Sequence, residues 1–123
     1  GDFQMNCAEL GTGMQSGLYP VVLIVNNSSY GTIRMHQERN YPYRVSGTEL
    51  QNPDFVRLAE SYGFYGERVE TTDQFATAFD RAMQSKTGAV IDLAIATEAI
   101  TPRQSIDDLR KSVSQGSLAQ GNK

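Results

Sequence analysis

Two adjacent asparagines, Asn26 and Asn27, directly follow the apolar run 21–25, and their type and position suit ligand binding. The run is typical of a strand that is covered on both faces, as in a parallel sheet. Ligands of open α/β sheets bind outside the carboxyl ends of the strands. A carboxamide oxygen at such an end is a hard ligand of the kind that Mg²⁺ takes, alongside backbone carbonyls, phosphate oxygens and water. The pair therefore indicates a candidate metal site.

The start of the chain offers a candidate anion site. Gly1 and Asp2 open a predicted helix, and the N–H groups at a helix N-terminus point at bound anions such as a diphosphate. Twenty-four residues, 2 to 25, separate Gly1 from Asn26. An Asn-Asn pair after a strand is also an ordinary turn, because Asn tolerates left-handed backbone angles. Taken alone, the residues favour that simpler interpretation.

The elements that must position these residues alternate along the chain, which predicts an α/β fold with a parallel sheet flanked by helices. The first predicted elements are a helix capped by Asp2 and ending near Gly17, a strand over 21–25, a helix over 30–39 capped by Ser28, and a loop over 40–47. The later ones are a helix starting at Asn52-Pro53 and ending at Gly63, a strand over 64–70, a helix with a capping box at Thr71 and Gln74, a strand over 89–96, and a short helix over 106–109.

Length and composition narrow the class of protein. With 123 residues we expect one domain over 1–111, followed by a flexible polar tail over 112–123. The net charge of −3 argues against nucleic-acid binding, which needs a basic face. We expect no membrane span, because the apolar runs are short, and the single cysteine, Cys7, is compatible with a reducing, cytoplasmic location.

Four segments carry a family resemblance: GDFQMNCAEL, VVLIVNNSSYGTIRMHQE, NPDFVRLAESYG and TEAITPRQS. They resemble thiamine diphosphate enzymes of the acetolactate synthase type, in particular the C-terminal, pyrophosphate-binding domain. That family carries Gly-Asp-Gly and, after a gap of this length, Asn-Asn. Gly1 corresponds to the second glycine, so we expect the metal-binding aspartate just upstream of residue 1, and the chain to begin inside the motif. The alternative, with Asp2 as that aspartate, is rejected because it places the Phe3 ring where the backbone must approach the diphosphate.

The resemblance implies a binding site for thiamine diphosphate and Mg²⁺. It implies that the Asn27 side-chain oxygen and the Ser29 carbonyl bind the metal, and that Gly1 and Asp2 contact the diphosphate. The remaining cofactor-binding residues that it implies are Tyr30, Gly31, Thr32 and Ile33. Core packing is an equal alternative for Tyr30 and Ile33. No catalytic residue is expected in the chain, because the essential glutamate of the family belongs to the N-terminal, pyrimidine-binding domain of a neighbouring subunit.

The activity implied by the resemblance is decarboxylation of a pyruvate-like 2-oxo acid and transfer of the two-carbon unit to an acceptor. It further implies a parent homodimer or tetramer, with FAD possible in the parent, whereas the isolated chain is expected to be inactive. The alternative is a free-standing, non-catalytic α/β module that binds a ligand or partner.

Several other side chains carry weaker expectations. His36 falls where biosynthetic synthases of this family carry a tryptophan, and an exposed helix histidine is the simpler interpretation. Cys7 is expected to be a buried small hydrophobe. A solvated face is expected for Arg34, Arg39 and Arg44. An apolar surface that the parent assembly buries is expected to include Met5, Tyr30, Tyr41 and Tyr43.

Overall fold

Residues 1–101 and 103–112 are described by the structure, a computed structural model, and they fall into two units. The first unit consists of Gly1–Asn26 and Gln51–Ile95. The second consists of Asn27–Leu50 together with the described residues from Ala96 onward. The two candidate asparagines therefore belong to different units, although they are neighbours in the chain.

A three-stranded parallel sheet forms the centre of the first unit. Its strands are β1 (Val21–Asn26), β2 (Tyr65–Val69) and β3 (Ala89–Ala94), in the order β1-β3-β2. Both pairings are parallel, and Ala89 of the central strand lies beside Val21 on one side and Tyr65 on the other. The predicted strands and the predicted fold class, a parallel sheet flanked by helices, are confirmed.

The helical start of the chain differs from the prediction. Instead of one helix there are two, α1 (Asp2–Asn6) and α2 (Glu9–Gln15), and Gly1 rather than Asp2 holds the cap position. The interruption lies at Cys7 and Ala8, whose carbonyls accept from residues three positions on, at 3.2 and 2.9 Å. These tighter bonds replace the four-residue spacing of an α-helix. Cys7 is half-buried rather than fully buried.

The next two helices of this unit, α4 and α5, each begin directly after the residue that caps them. Helix α4 (Phe55–Ser61) is capped by Asp54, whose Oδ1 accepts from the Arg57 N–H at 3.1 Å, so the predicted start at Asn52-Pro53 is wrong. Its predicted end is confirmed at Gly63, which takes the left-handed φ of +82° that glycine tolerates best. Helix α5 (Thr72–Gln84) begins with the predicted capping box of Thr71 and Gln74.

Two apolar clusters cover the two faces of the sheet. The first contains Leu10, Ile24, Phe55, Ala59, Phe64 and Val90. The second contains Val69, Ala78, Ala82, Ala89 and Ile91. Consecutive residues of β3 alternate between the clusters, as the side chains of a strand must. The expectation that β1 is covered on both faces is wrong, because Leu23 and Val25 are 42% and 64% exposed.

The second unit contains α3 (Gly31–Asn40), a small hairpin of β4 (Ala99–Thr101) and β5 (Gln104–Ser105), and α6 over residues 106–112. Ser28 does not cap α3: Tyr30 holds the cap position, and Ser28 has a left-handed φ of +51°. The hairpin was not predicted, whereas the short helix was. Of the predicted tail, Ser112 is the last described residue and belongs to α6, and 113–123 lie outside the described residues. In the described part of the chain, no helix is long and apolar enough to cross a membrane.

Candidate functional site

Both the nitrogen and the oxygen of the Asn26 carboxamide form hydrogen bonds. Its Nδ2 donates to Asp92 Oδ1 at 2.9 Å, and its Oδ1 accepts from Asn52 Nδ2 at 2.8 Å. The partner carboxylate is itself buried on the central strand, and it also accepts from Arg68 Nη1 at 3.2 Å. Gln4 Nε2 extends the network by donating to Asn52 Oδ1 at 2.6 Å. Asn26 therefore joins the carboxyl ends of β1 and β3 to the segment before α4, which is a structural role.

Sequence reasoning missed this network. Asp92 is the single charged residue of the strand Ala89–Ala94, and a carboxylate inside a buried apolar run requires polar partners. A charged residue within this apolar run was the feature of the sequence from which the network could have been inferred. It indicates that polar side chains converge on β3, but it does not say which of them do.

Asn27 forms a turn of its own. Its Oδ1 accepts from the Ser29 N–H at 3.1 Å, which closes an Asx turn around the left-handed Ser28. Its main-chain carbonyl accepts from Thr97 Oγ1 at 3.1 Å. A carboxamide oxygen has two acceptor sites, so this hydrogen bond leaves the Asn27 Oδ1 with capacity for a cation.

The residues after Asn27 rest on segment 48–50. Ser29 is buried, its Oγ donates to the Thr48 carbonyl at 2.9 Å, and it forms an antiparallel bridge with Glu49. The Tyr30 N–H donates to the same Thr48 carbonyl at 2.8 Å, and the Leu50 N–H donates to the Ser28 carbonyl at 2.9 Å. The Ser29 hydroxyl therefore serves as a hydrogen-bond donor that holds the turn against segment 48–50.

Gly31 lies in close contact with the Asn27 side chain. A Cβ at this position would lie 2.7 Å from Asn27 Nδ2, closer than Cβ contacts in proteins come. The absence of a side chain thus lets the Asn27 carboxamide lie against the first residue of α3. Tyr30 and Ile33 are 42% and 52% exposed, so neither packs in a core of the described chain. Thr32 is exposed as well.

The structure gathers six of the predicted residues in one stretch of the second unit and leaves two elsewhere in the chain. The gathered residues are Asn27, Ser29, Tyr30, Gly31, Thr32 and Ile33. Gly1 and Asp2 lie at the N-terminus of α1 in the first unit, and both are exposed. Their assignment to a diphosphate stays a prediction.

The chemistry of the turn fits Mg²⁺ better than a softer metal. Its available donors are a carboxamide oxygen and main-chain carbonyls, which are hard ligands. Among the described residues, no group of three His, Cys, Asp or Glu side chains is placed to hold a metal ion. A transition metal that prefers nitrogen or sulfur would find no such set here.

The structure also shows the surroundings of the other side chains for which the sequence carried an expectation. Arg34 is not on a solvated face: its side chain is 17% exposed and its Nη2 lies 3.0 Å from Glu98 Oε1. His36 and Arg39 are exposed on α3, and the Arg44 guanidinium lies 5.6 Å from the centroid of the Tyr41 ring. The four residues expected in an apolar surface are all exposed: Met5, Tyr30, Tyr41 and Tyr43.

Comparison with known proteins defines the class. The family described as "Thiamine pyrophosphate enzyme, C-terminal TPP binding domain" matches residues 1–93, which is most of the chain. The chain therefore belongs to this family, and the resemblance to thiamine diphosphate enzymes is confirmed. Thiamine pyrophosphate and thiamine diphosphate are the same molecule, so the predicted cofactor agrees with the family description.

The particular relatives are acetolactate synthases. The chain is 37% identical over 97 residues to the acetolactate synthase large subunit of Cyanidium caldarium, covering 77% of this chain and 17% of that protein. It is 35% identical over 107 residues to the large subunit of Haemophilus influenzae, covering 85% and 19%. It is 35% identical over 86 residues to the isozyme 2 large subunit of Escherichia coli, covering 69% and 16%. The chain thus spans less than a fifth of the length of these relatives.

Proposed function

We propose that this chain is the C-terminal cofactor-binding part of an acetolactate synthase-like enzyme that depends on thiamine diphosphate and Mg²⁺. The reaction is decarboxylation of a pyruvate-like 2-oxo acid and transfer of the two-carbon unit to an acceptor. Family membership and the printed names of the relatives support the class. The Asx turn of Asn27, with its hard oxygen donors, is the observation that supports the metal role.

In this proposal each site residue has a positional task. Asn27 Oδ1 and the Ser29 carbonyl hold Mg²⁺, while the Ser29 N–H orients the Asn27 carboxamide. Gly1 and Asp2 contact the diphosphate, and the residues near the remainder of the cofactor are Tyr30, Gly31, Thr32 and Ile33. When bound, thiamine diphosphate supplies the carbanion chemistry, and the protein supplies binding and orientation.

The proposal assigns no catalytic acid or base to this chain. The group that assists cofactor activation comes from the N-terminal, pyrimidine-binding domain of a neighbouring subunit, so the isolated chain has no turnover. The proposed partners are the remainder of the parent chain, a second subunit in a homodimer or tetramer, and a small 2-oxo acid. A parent FAD site and a cytoplasmic location stay predictions.

The test is a titration of the full-length protein with Mg²⁺ at fixed thiamine diphosphate, in which calorimetry measures the binding. We expect Asn27→Ala to weaken Mg²⁺ binding by at least about tenfold, since metal affinity falls by that order even when a supporting group is lost. Asn27→Asp keeps an oxygen ligand and is expected to retain most of the affinity. Asn40→Ala, an exposed residue at the end of α3, is the matched control and should bind as the wild type does.

Two outcomes would contradict the proposal. If the wild-type protein binds neither thiamine diphosphate nor Mg²⁺ with it, the chain is a non-catalytic α/β binding module, which is the alternative reading of the sequence. If Asn27→Ala binds Mg²⁺ as tightly as the wild type, the metal is held elsewhere. Pyruvate decarboxylation by the purified 123-residue chain would refute its proposed inactivity.

A further inference from the structure

A C-terminal segment that the family match does not reach contacts the candidate turn and α3. The match ends at residue 93, and the segment, here called the C-terminal brace, comprises the described residues 96–101 and 103–112. It belongs to the same unit as Asn27–Leu50. Three polar contacts join the brace to that stretch, one at the turn and two along α3.

The first two contacts lie near the candidate ligands. Thr97 Oγ1 donates to the main-chain carbonyl of Asn27 at 3.1 Å, on the residue whose side chain is the proposed metal ligand. Glu98 Oε1 accepts from Arg34 Nη2 at 3.0 Å, one turn into α3. The brace therefore holds both the turn and the helix that follows it.

The third contact is a buried ion pair. Glu38 is 0% exposed, and its Oε1 and Oε2 accept from Arg110 Nη2 and Nε at 2.5 and 2.9 Å. The Tyr43 N–H also donates to Glu38 Oε2 at 2.9 Å, and the Arg110 guanidinium lies 4.2 Å from the centroid of the Tyr43 ring. This two-point geometry fixes direction as well as distance, which a point contact does not.

Glu38 is the one fully buried residue of α3, and the apolar Met35 is half-buried. Likewise, neither apolar cluster of the described chain includes a residue of Asn27–Leu50. Apolar contacts are non-directional, whereas these hydrogen bonds are directional. Two apolar side chains of the brace, Ile106 and Leu109, are buried as well, and the polar contacts supply the direction that apolar burial does not.

We propose that the C-terminal brace positions the Asn27–Ser29 turn for metal and cofactor binding, with Thr97 and Arg110 as positioning residues. This inference rests on the proposed function. Neither residue contacts the metal: Thr97 acts through the Asn27 main chain, and Arg110 acts through Glu38 and α3. Groups that orient metal ligands in this way typically change metal affinity about tenfold or more when they are lost.

The first experiment removes one hydroxyl. In the full-length protein at fixed thiamine diphosphate, Thr97→Val is expected to weaken Mg²⁺ binding by about three- to tenfold, the range that the loss of one hydrogen bond gives. Thr97→Ser keeps the hydroxyl and is expected to restore the wild-type affinity. Because Thr and Val have nearly the same shape, a loss in Thr97→Val that Thr97→Ser restores would follow from the hydroxyl and not from the γ-methyl group.

The second experiment removes the ion pair and uses a matched control from the first unit. Arg110→Met is expected to weaken Mg²⁺ binding by about tenfold. The control is Arg81→Met, which removes another Arg–Glu pair, between Arg81 and Glu67. We expect both variants to lower the thermal unfolding temperature, but only Arg110→Met to weaken Mg²⁺ binding. If Arg110→Met does not fold, the test depends on Thr97→Val and Thr97→Ser alone.

The outcomes separate this inference from the proposed function. If the wild type binds Mg²⁺ with thiamine diphosphate but Thr97→Val binds it equally well, the brace has no positioning role and the proposed function stands. Equal weakening by Arg81→Met and Arg110→Met would also overturn the inference, because the effect would then follow general stability. Failure of the wild type to bind would overturn both.

Discussion

The two units bury apolar and polar side chains in different proportions. In the first unit most buried side chains are apolar, such as Ile91, Val90 and Ala82, and Asp92 is the one buried charged residue among those described. In the second unit the buried side chains include Glu38, Thr48 and Ser29, with Ile106 and Leu109 as apolar members. Apolar packing tolerates small shifts at a modest cost, but a buried charge needs its partner in place. The first unit, whose core is mostly apolar, is therefore suited to be a scaffold, and the second, with more of its burial in polar side chains, to hold a defined geometry.

Asn26 and Asn27 lie where the chain passes from the first unit to the second, and they too differ in their hydrogen-bond partners. Asn26 has both ends of its carboxamide in a network around Asp92, in the first unit. Asn27 uses its oxygen in a local turn with Ser29, in the second. Two residues of one type, adjacent in sequence, thus differ in task because their partners differ. The Asn27 oxygen, with one of its two acceptor sites used by the turn, retains a site for a ligand.

The largest expected effect on the free energy of unfolding comes from breaking the polar contacts of the second unit. Arg110→Met leaves the buried Glu38 carboxylate without its partner, and we expect it to lower the free energy of unfolding by about 4 kcal/mol. The double variant Glu38→Met/Arg110→Met removes both charges and is expected to recover most of that loss, measured by urea denaturation. If the double variant is as unstable as the single one, the burial of an unpaired charge is not the cause.

The double variant also sharpens the comparison of stability with positioning. Apolar side chains restore burial but not direction, so Mg²⁺ affinity should stay low while stability returns. A double variant that regains both stability and affinity would mean that directional contacts are not needed in this unit.

A smaller effect is expected from the apolar core of the first unit. Ile91 is fully buried on the central strand, and Ile91→Ala is expected to cost about 3 kcal/mol, from lost burial and the cavity that remains. Under conditions where the variant stays folded, we expect its Mg²⁺ affinity to match that of the wild type. It therefore serves as a stability control for Arg110→Met. A tenfold loss of affinity in Ile91→Ala would show that scaffold stability alone controls the site.

The smallest expected effect concerns acidic pH. Hydrogen bonds from Arg110 lower the pKa of the Glu38 carboxyl below its ordinary value of 4.5, against the opposing effect of burial. The unfolded chain then binds more protons than the folded one, so this stabilisation is present above pH 4.5 and is lost as the pH falls through the folded pKa. Glu38→Gln is expected to flatten the loss of stability on acidification below pH 4.5, measured by urea denaturation.

Glu67 is the matched group for this prediction, because Arg81 lowers the pKa of the Glu67 carboxyl in the same way in the first unit. Glu67→Gln should therefore flatten the acid response of stability without changing Mg²⁺ affinity. An acid profile that neither variant alters would mean that other carboxylates dominate.

Local patterns allowed much of the scaffold to be predicted. The apolar runs at 21–25 and 89–96 predicted β1 and β3, because a continuous apolar run suits a buried parallel strand. Thr71 and Gln74 predicted the start of α5, and Gly63 predicted the end of α4. The start of α3 was assigned to the wrong residue, since Ser28 has a capping side chain but takes a left-handed backbone angle. Capping preferences act over a few residues and cannot take account of a turn that Asn27 closes first.

What the sequence by itself determined was the family, the strands, the start of α5 and the end of α4, since these depend on residue types within a few positions of each other. Tertiary structure decided which partners each asparagine has, and it decided that the C-terminal brace contacts the turn. The physical reason is the separation of the partners. Asn26 and Asp92 are 66 positions apart, and Glu38 and Arg110 are 72 apart, so only the folded chain brings donor and acceptor within hydrogen-bond distance.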